Sequence, residues 1–229
     1  MKNQAEEVWR AQGLEPMADF FNTRAAQYDE AHTGHIDGGR GTKALAARFL
    51  PEGVCDILDL GCGTGLELPA VFARFPGARV LGIDVANEML ALLRARCVGC
   101  NVQTLCMDYL DYAYPHAAFD AVISVMSLHH FTPEQKLDLY GQICGTLRPG
   151  GVFINCDYMV DTPREERVRF CALLRLHMES QATGLPGKFH LDIPLTPKHE
   201  LRLLRQAGLR GTALVWRLGN TKVVRGWKR

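Results

Sequence analysis

The run Ile57-Leu58-Asp59-Leu60-Gly61-Cys62-Gly63-Thr64-Gly65 constrains this chain more than any other segment. Four mostly apolar residues suit a strand covered on both faces, as in a parallel sheet. Glycines at alternate positions then give a turn whose backbone can approach a ligand with no Cβ in the way. Leu66-Glu67-Leu68-Pro69-Ala70-Val71-Phe72 reads as the helix that follows. Strand, glycine turn and helix N-terminus together predict a nucleotide site at the carboxyl end of a sheet.

The dinucleotide fingerprint is G-x-G-x-x-G, and here the third glycine comes one position early, with Leu66 where that fingerprint has Gly. Asp84 ends the next apolar stretch, 79–84, where a carboxylate can accept from both ribose hydroxyls. That feature serves NAD and S-adenosylmethionine equally. The local Asp59-Leu60-Gly61-Cys62-Gly63-Thr64-Gly65 resembles motif I of the class I S-adenosylmethionine-dependent methyltransferases. Further segments are similar to that family in the same order: 81–90 to its ribose-binding strand and next helix, Cys106-Met107-Asp108-Tyr109 to its adenine-binding turn, 119–131 to its fourth strand and substrate-side loop, and Leu147-Arg148-Pro149-Gly150-Gly151 to the turn before its fifth strand. Phe20 to Asp29 resembles the capping helix of small-molecule members. The resemblance implies S-adenosyl-L-methionine as cofactor and S-adenosyl-L-homocysteine as product. Asp59, Gly61, Cys62, Gly63 and Gly65 would wrap its methionine and ribose; Asp84 and Val85 would meet the ribose; Asp108, Tyr109 and Met89 the adenine; Ser124 and Tyr28 the amino-acid end.

The chain has 229 residues, 47% hydrophobic, with a formal net charge of +1. That size allows one α/β domain with an inserted lid. The charge gives no basic footprint for nucleic acid. No apolar span long enough for a membrane and no leader is read, so a soluble, cytoplasmic protein is expected, without a membrane partner. A homodimer is compatible with this reading. The eight cysteines are expected as reduced thiols, with Cys55, Cys62, Cys106, Cys144 and Cys156 in or beside apolar segments. Cys97-x-x-Cys100 with Cys106 lacks a fourth ligand for zinc, so no metal is expected.

Strands are expected near 55–60, 79–84, 101–106, 119–125 and 150–157, and helices near 42–50, 66–75, 86–96 and 133–147. After Tyr158 come a helix over 161–182, a Pro/Gly-rich loop over 183–197, a helix over 198–207, and two apolar stretches, 210–217 and 221–227, joined as a hairpin by Leu218-Gly219-Asn220. The expected fold is a doubly wound, Rossmann-like α/β domain with a seven-stranded, mostly parallel sheet. Residues 1–50 form a helical cap, 51–157 the cofactor core, 158–197 a lid and 198–229 the closing helix and hairpin.

Methyl transfer from a sulfonium is an in-line displacement, so positioning is the main demand, and a base is needed only when the nucleophile arrives protonated. His129 and His130 follow the fourth strand, and His129 is the candidate base. Asp157 and Tyr158 end the fifth strand and face the same crevice by topology. His32, His35, His190 and Asp192 lie in segments that can fold over it. No D/N-P-P-Y/W follows the fourth strand, which disfavours amino-methylation of adenine or glutamine by that device. The expected function is methyl transfer to a small-molecule acceptor at O, N, S or C. The alternatives are a tRNA or protein methyltransferase of the same fold, an NAD-dependent oxidoreductase, and a non-catalytic cofactor-binding regulator.

Overall fold

The structure is a computed structural model and describes residues 15–35, 40–180 and 190–229. Its elements are α1 (Met17–His35), α2 (Arg40–Lys43), α3 (Leu45–Phe49), β1 (Asp56–Leu60), α4 (Leu68–Arg74), β2 (Arg79–Asp84), α5 (Asn87–Arg96), β3 (Val102–Cys106) and β4 (Phe119–Val125). A 3₁₀ turn (Leu128–His130) leads to α6 (Pro133–Thr146), β5 (Leu147–Tyr158), α7 (Pro163–Ser180), α8 (Pro197–Gln206), β6 (Arg210–Leu218) and β7 (Thr221–Trp227). The strands form one seven-stranded sheet in the order β3-β2-β1-β4-β5-β7-β6. β1 to β5 run parallel, and β7 pairs antiparallel with both β5 and β6.

Side chains alternate across a strand, so each central strand feeds two cores. Ile57, Val80, Ala121, Ile123 and Ile154 pack on one face with Leu45 of α3, Val71 of α4 and Leu93 of α5. Leu58, Ile83, Val122 and Phe153 pack on the other with Leu139 and Ile143 of α6 and Leu204 of α8. Helix α6 starts at a capping box: Thr132 accepts from the Gln135 amide at 3.3 Å, and the Gln135 side chain accepts from the Thr132 amide at 3.0 Å, with Pro133 in the first helical position. Such a cap is worth about 1 kcal/mol. The α6–α8 contact holds an ion pair between Lys136 and Glu200, both fully buried, and the Tyr140 hydroxyl donates to the same carboxylate at 2.6 Å.

Some details depart from expectation. The helix read over 42–50 is broken at Ala44 into α2 and α3. Cys62, Cys97, Cys144 and Cys156 are buried, but Cys55 and Cys106 are exposed, because they sit at the sheet's rim rather than inside it. All eight cysteines are free thiols. The polar amino end and most of the loop read over 183–197 lie outside the described residues. No described helix is long and apolar enough to cross a membrane.

Candidate active site

The chain winds in opposite directions from β1 and β4, which are adjacent, and a crevice opens above their carboxyl ends. The glycine turn lies on its floor. Gly61 N–H donates to Ile83 O at 2.8 Å, which carries the backbone off β1 with φ of 69° at Gly61 and 47° at Gly63. A Cβ at Gly61 would lie 2.0 Å from Ser127 Oγ and 2.5 Å from Ser127 Cβ, whereas a Cβ at Gly63 would meet nothing within 4 Å. Gly63 N–H donates to Asp84 Oδ2 at 2.9 Å, and Ala86 N–H donates to Asp84 Oδ1 at 2.9 Å. Burial nonetheless pushes the Asp84 carboxyl above its ordinary value, with these amides opposing the shift.

A cavity of about 390 Å³ begins here, within the range of small-ligand sites. Of the expected cofactor residues, Tyr28, Gly61, Gly63, Asp84, Val85, Met89, Asp108 and Tyr109 line it. Asp59, Cys62, Gly65 and Ser124 do not. Asp59 is fully buried within β1. Cys62 turns back onto the sheet against Gly82, where a Cβ would meet its sulfur at 2.7 Å. Gly65 serves packing, since Leu93 occupies the place of a side chain there. Ser124 sits between strands, its hydroxyl donating to Leu60 O at 2.9 Å and so tying β4 to β1 at the crevice floor.

Helix α1 roofs the cavity. Its Asp29 accepts from the Thr64 hydroxyl at 2.6 Å and pairs with Arg96, while Asn22 accepts from the Glu88 amide at 3.0 Å. The cavity wall also includes apolar Met17 and Phe21 of α1, Met126 and Phe131. Met126 holds φ of 55°, turning the chain sharply after β4, so that Ser127 reaches the Tyr109 hydroxyl at 2.7 Å. Backbone from Ser124 to Met126 is expected at the cofactor's amino-acid end, but Phe21, Ser127 and Phe131 carry no individual expectation in the sequence. The aromatics were visible only as helix or core residues, and no composition signal marks the turn at Met126. In the segment read as a lid, α7 lies against α8, with Glu166 accepting from the Thr196 amide at 2.8 Å and pairing with His199. Among the described residues of that segment, His190 stacks on Phe20 and Leu191 O lies 3.2 Å from His130 Nδ1.

The histidines divide between two positions. His130 lines the cavity, and its Nδ1 lies 3.2 Å from Leu191 O. His129 stands one layer behind, 8% exposed and absent from the cavity wall, which corrects its expected place. The two rings lie side by side, their centres 4.0 Å apart. His129 Nδ1 donates to Asp157 Oδ1 at 2.7 Å, and the Tyr158 amide donates to the same oxygen at 2.9 Å. Burial depresses the His129 imidazolium, but the Asp157 carboxylate outweighs it and raises His129 overall. Burial, then neighbouring His129 and His190, hold His130 well below its ordinary value. Asp157 is fully buried and Tyr158 half-buried; neither lines the cavity. His190 stacks on Phe20 at 3.5 Å and approaches His130 at 4.9 Å between ring centres. The side chains of His32 and His35 lie outside the described set.

Residues 57–151 match the methyltransferase domain family. An uncharacterized methyltransferase of Mycobacterium bovis is 28% identical over 190 residues, covering 81% of this chain and 92% of that one. A demethylmenaquinone methyltransferase of Thermus thermophilus is 36% identical, covering 57% of this chain and 58% of that one. Among solved structures, human N-acetylserotonin methyltransferase in complex with S-adenosylmethionine superposes with a TM-score of 0.60 at 19% identity, covering 90% of this chain. The chain spans only 56% of that enzyme's length. These likenesses favour methyl transfer over the nicotinamide oxidoreductase reading. With the sheet order and the glycine turn, they support a class I S-adenosylmethionine-dependent methyltransferase.

Proposed function

We propose that the cavity holds the cofactor against the glycine turn and a small, largely apolar acceptor under α1, and that the enzyme moves a methyl group between them. The observation that carries this reading is the composition of one continuous cavity. Bare backbone at Gly63 and the Asp84 carboxylate share its wall with Met17, Phe21, Phe131 and His130.

The cofactor-side residues fit a sulfonium nucleoside. The open space beside Gly63 admits close approach of ligand to main chain. Asp84 offers carboxylate lone pairs beyond the two amides it already accepts from, which suits a ribose diol. Val85 and Met89 give an apolar face for the base, with Asp108 at its edge. Asp59, Cys62, Gly65 and Ser124 would shape this end from behind. When bound, the cofactor supplies an activated methyl on a sulfonium, which needs no acid for its leaving group.

The chain's own part is to hold the acceptor and exclude water. Positioning of this kind can contribute roughly 7–11 kcal/mol in the best cases. The Met17, Phe21, Met126 and Phe131 walls favour a ring or short apolar body, and His130 marks where its polar end lies. His129, with Asp157 behind it and Tyr158 beside it, orients that end rather than touching it. The near-neutral charge and the roofed cavity weigh against tRNA or a folded protein as substrate.

Release of S-adenosylhomocysteine on incubation with panels of small aromatic and aliphatic alcohols, thiols and amines tests the reading. Turnover with at least one small acceptor is expected. Turnover with only tRNA or protein, or no binding of S-adenosylhomocysteine in calorimetry, refutes it.

A further inference from the structure

We infer that His129, His130 and Asp192 form a binding site for a single divalent transition-metal ion of the zinc type at the acceptor end of the cavity. Ligand atoms of these three residues lie within 4.8 Å of one another. Asp192 Oδ1 is 3.6 Å from His129 Nε2 and 3.4 Å from His130 Nδ1. Both separations are too long for hydrogen bonds. They match the spacing of two ligands on one tetrahedral ion, about 3.4 Å when each bond is about 2.0–2.2 Å.

Two further observations point to a ligand. Asp192 Oδ1 is buried with no hydrogen-bond partner, although a carboxylate oxygen so placed costs energy unless something satisfies it. His129 also has the outer partner that metal-bound imidazoles have. Its Nδ1–H is taken by Asp157 at 2.7 Å, so the lone pair sits on Nε2, the nitrogen that faces Asp192. Asp157 is held in turn by the Tyr158 amide. His130 now has Nδ1 near Leu191 O; loading replaces that proton with the ion.

Three protein ligands leave one tetrahedral position open, the pattern of catalytic rather than structural zinc. Because His130 belongs both to the trio and to the cavity wall, that position is available to a hydroxyl, thiol or amine of the acceptor. An acceptor so bound loses its proton to water more readily and is fixed in orientation. This role, though not the binding itself, rests on the reading of the cavity given above. Asp157 is a positioning residue for the ion through His129.

The test uses the full-length chain, stripped with a chelator and titrated with zinc and, separately, with cobalt(II). About one zinc per chain by elemental analysis is expected, with the intense visible absorption of four-coordinate cobalt. Asp192→Asn and His130→Ala should abolish both signals while circular dichroism stays unchanged. Asp157→Asn should weaken zinc binding about 10–100-fold. Cys100→Ser, which removes a thiol of the Cys97-x-x-Cys100 pair, should change nothing. Absence of stoichiometric zinc at micromolar concentration, or zinc retained in Asp192→Asn and His130→Ala but lost in Cys100→Ser, overturns the proposal. Calorimetry with S-adenosylhomocysteine on the stripped protein reports separately on the cofactor end, so failure of one reading is distinguishable from failure of the other.

Discussion

Alanine at Gly61 and alanine at Gly63 should fail in different ways, although the two positions are two residues apart in one turn. Both have positive φ, 69° and 47°. A left-handed residue with a Cβ costs about 1–2 kcal/mol, offset by about 0.4–1 kcal/mol because alanine restricts the unfolded chain. At Gly63 nothing lies within 4 Å of the new methyl, so the net loss is about 0–1.6 kcal/mol. For a chain of this size that lowers Tm by at most about 6 °C. At Gly61 the new methyl also meets Ser127 Oγ at 2.0 Å and Cβ at 2.5 Å. Rotating the hydroxyl away does not relieve the Cβ contact, and it breaks the 2.7 Å bond to Tyr109. Overpacking adds about 1–3 kcal/mol, giving a Tm loss of about 2–18 °C. Cofactor affinity should divide the other way. Gly63→Ala, whose methyl occupies ligand space, should bind S-adenosylhomocysteine at least about tenfold more weakly, or about 1.4 kcal/mol. Scanning calorimetry and isothermal titration measure the two effects. Unchanged affinity in Gly63→Ala, or equal Tm losses in the two variants, refutes the geometry argued for this turn.

Asp84→Asn should reduce affinity for S-adenosylhomocysteine by an order of magnitude or more, since a charge-assisted hydrogen bond is worth about 1.5–3 kcal/mol. In the wild type, affinity should fall as pH drops through the raised Asp84 pKa, because the hydroxyls need the carboxylate form; without ligand, the same raised pKa means that ionising Asp84 disfavours the folded state as pH climbs above the unfolded value, so Asp84→Asn should be relatively more stable at neutral than at acid pH. Parallel pH titrations of affinity and of Tm check both signs. Glu200→Ala strands the Lys136 ammonium and the Tyr140 hydroxyl in the α6–α8 contact and should cost about 3–5 kcal/mol in urea unfolding; a loss under 1 kcal/mol contradicts the buried pair.

The sequence exposed the order and most bounds of the strands, because buried parallel strands and amphipathic helices have different periods, although β5 begins at Leu147 rather than near 150. Strand β2, expected over 79–84, spans Arg79–Asp84, and the terminal hairpin turns at Gly219-Asn220. The glycine turn and Asp84, at the proposed cofactor end, were legible because strand ends fix their places. The acceptor end was not. It depends on which of two consecutive histidines a 3₁₀ turn presents inward, and on Asp192 arriving beside them from over sixty residues away in sequence, with the His190 amide donating to Glu15 O at 3.0 Å. Local pattern carries no information on such meetings. Ser124 shows what a strand position leaves open: its side chain ties the β1–β4 seam, a contact no local pattern announces.

The roofing helix is pinned at two places and spans the whole crevice. Its Asp29 and Asn22 grip the glycine turn's Thr64 and the start of α5, while its Phe21 lies 6.1 Å from His130 and 5.9 Å from Tyr28. On the proposed reading one helix therefore covers both reactants. Moving it aside to let the spent nucleoside go would break the Asp29 and Asn22 contacts and carry Phe21 away from His130, so the two releases would be coupled.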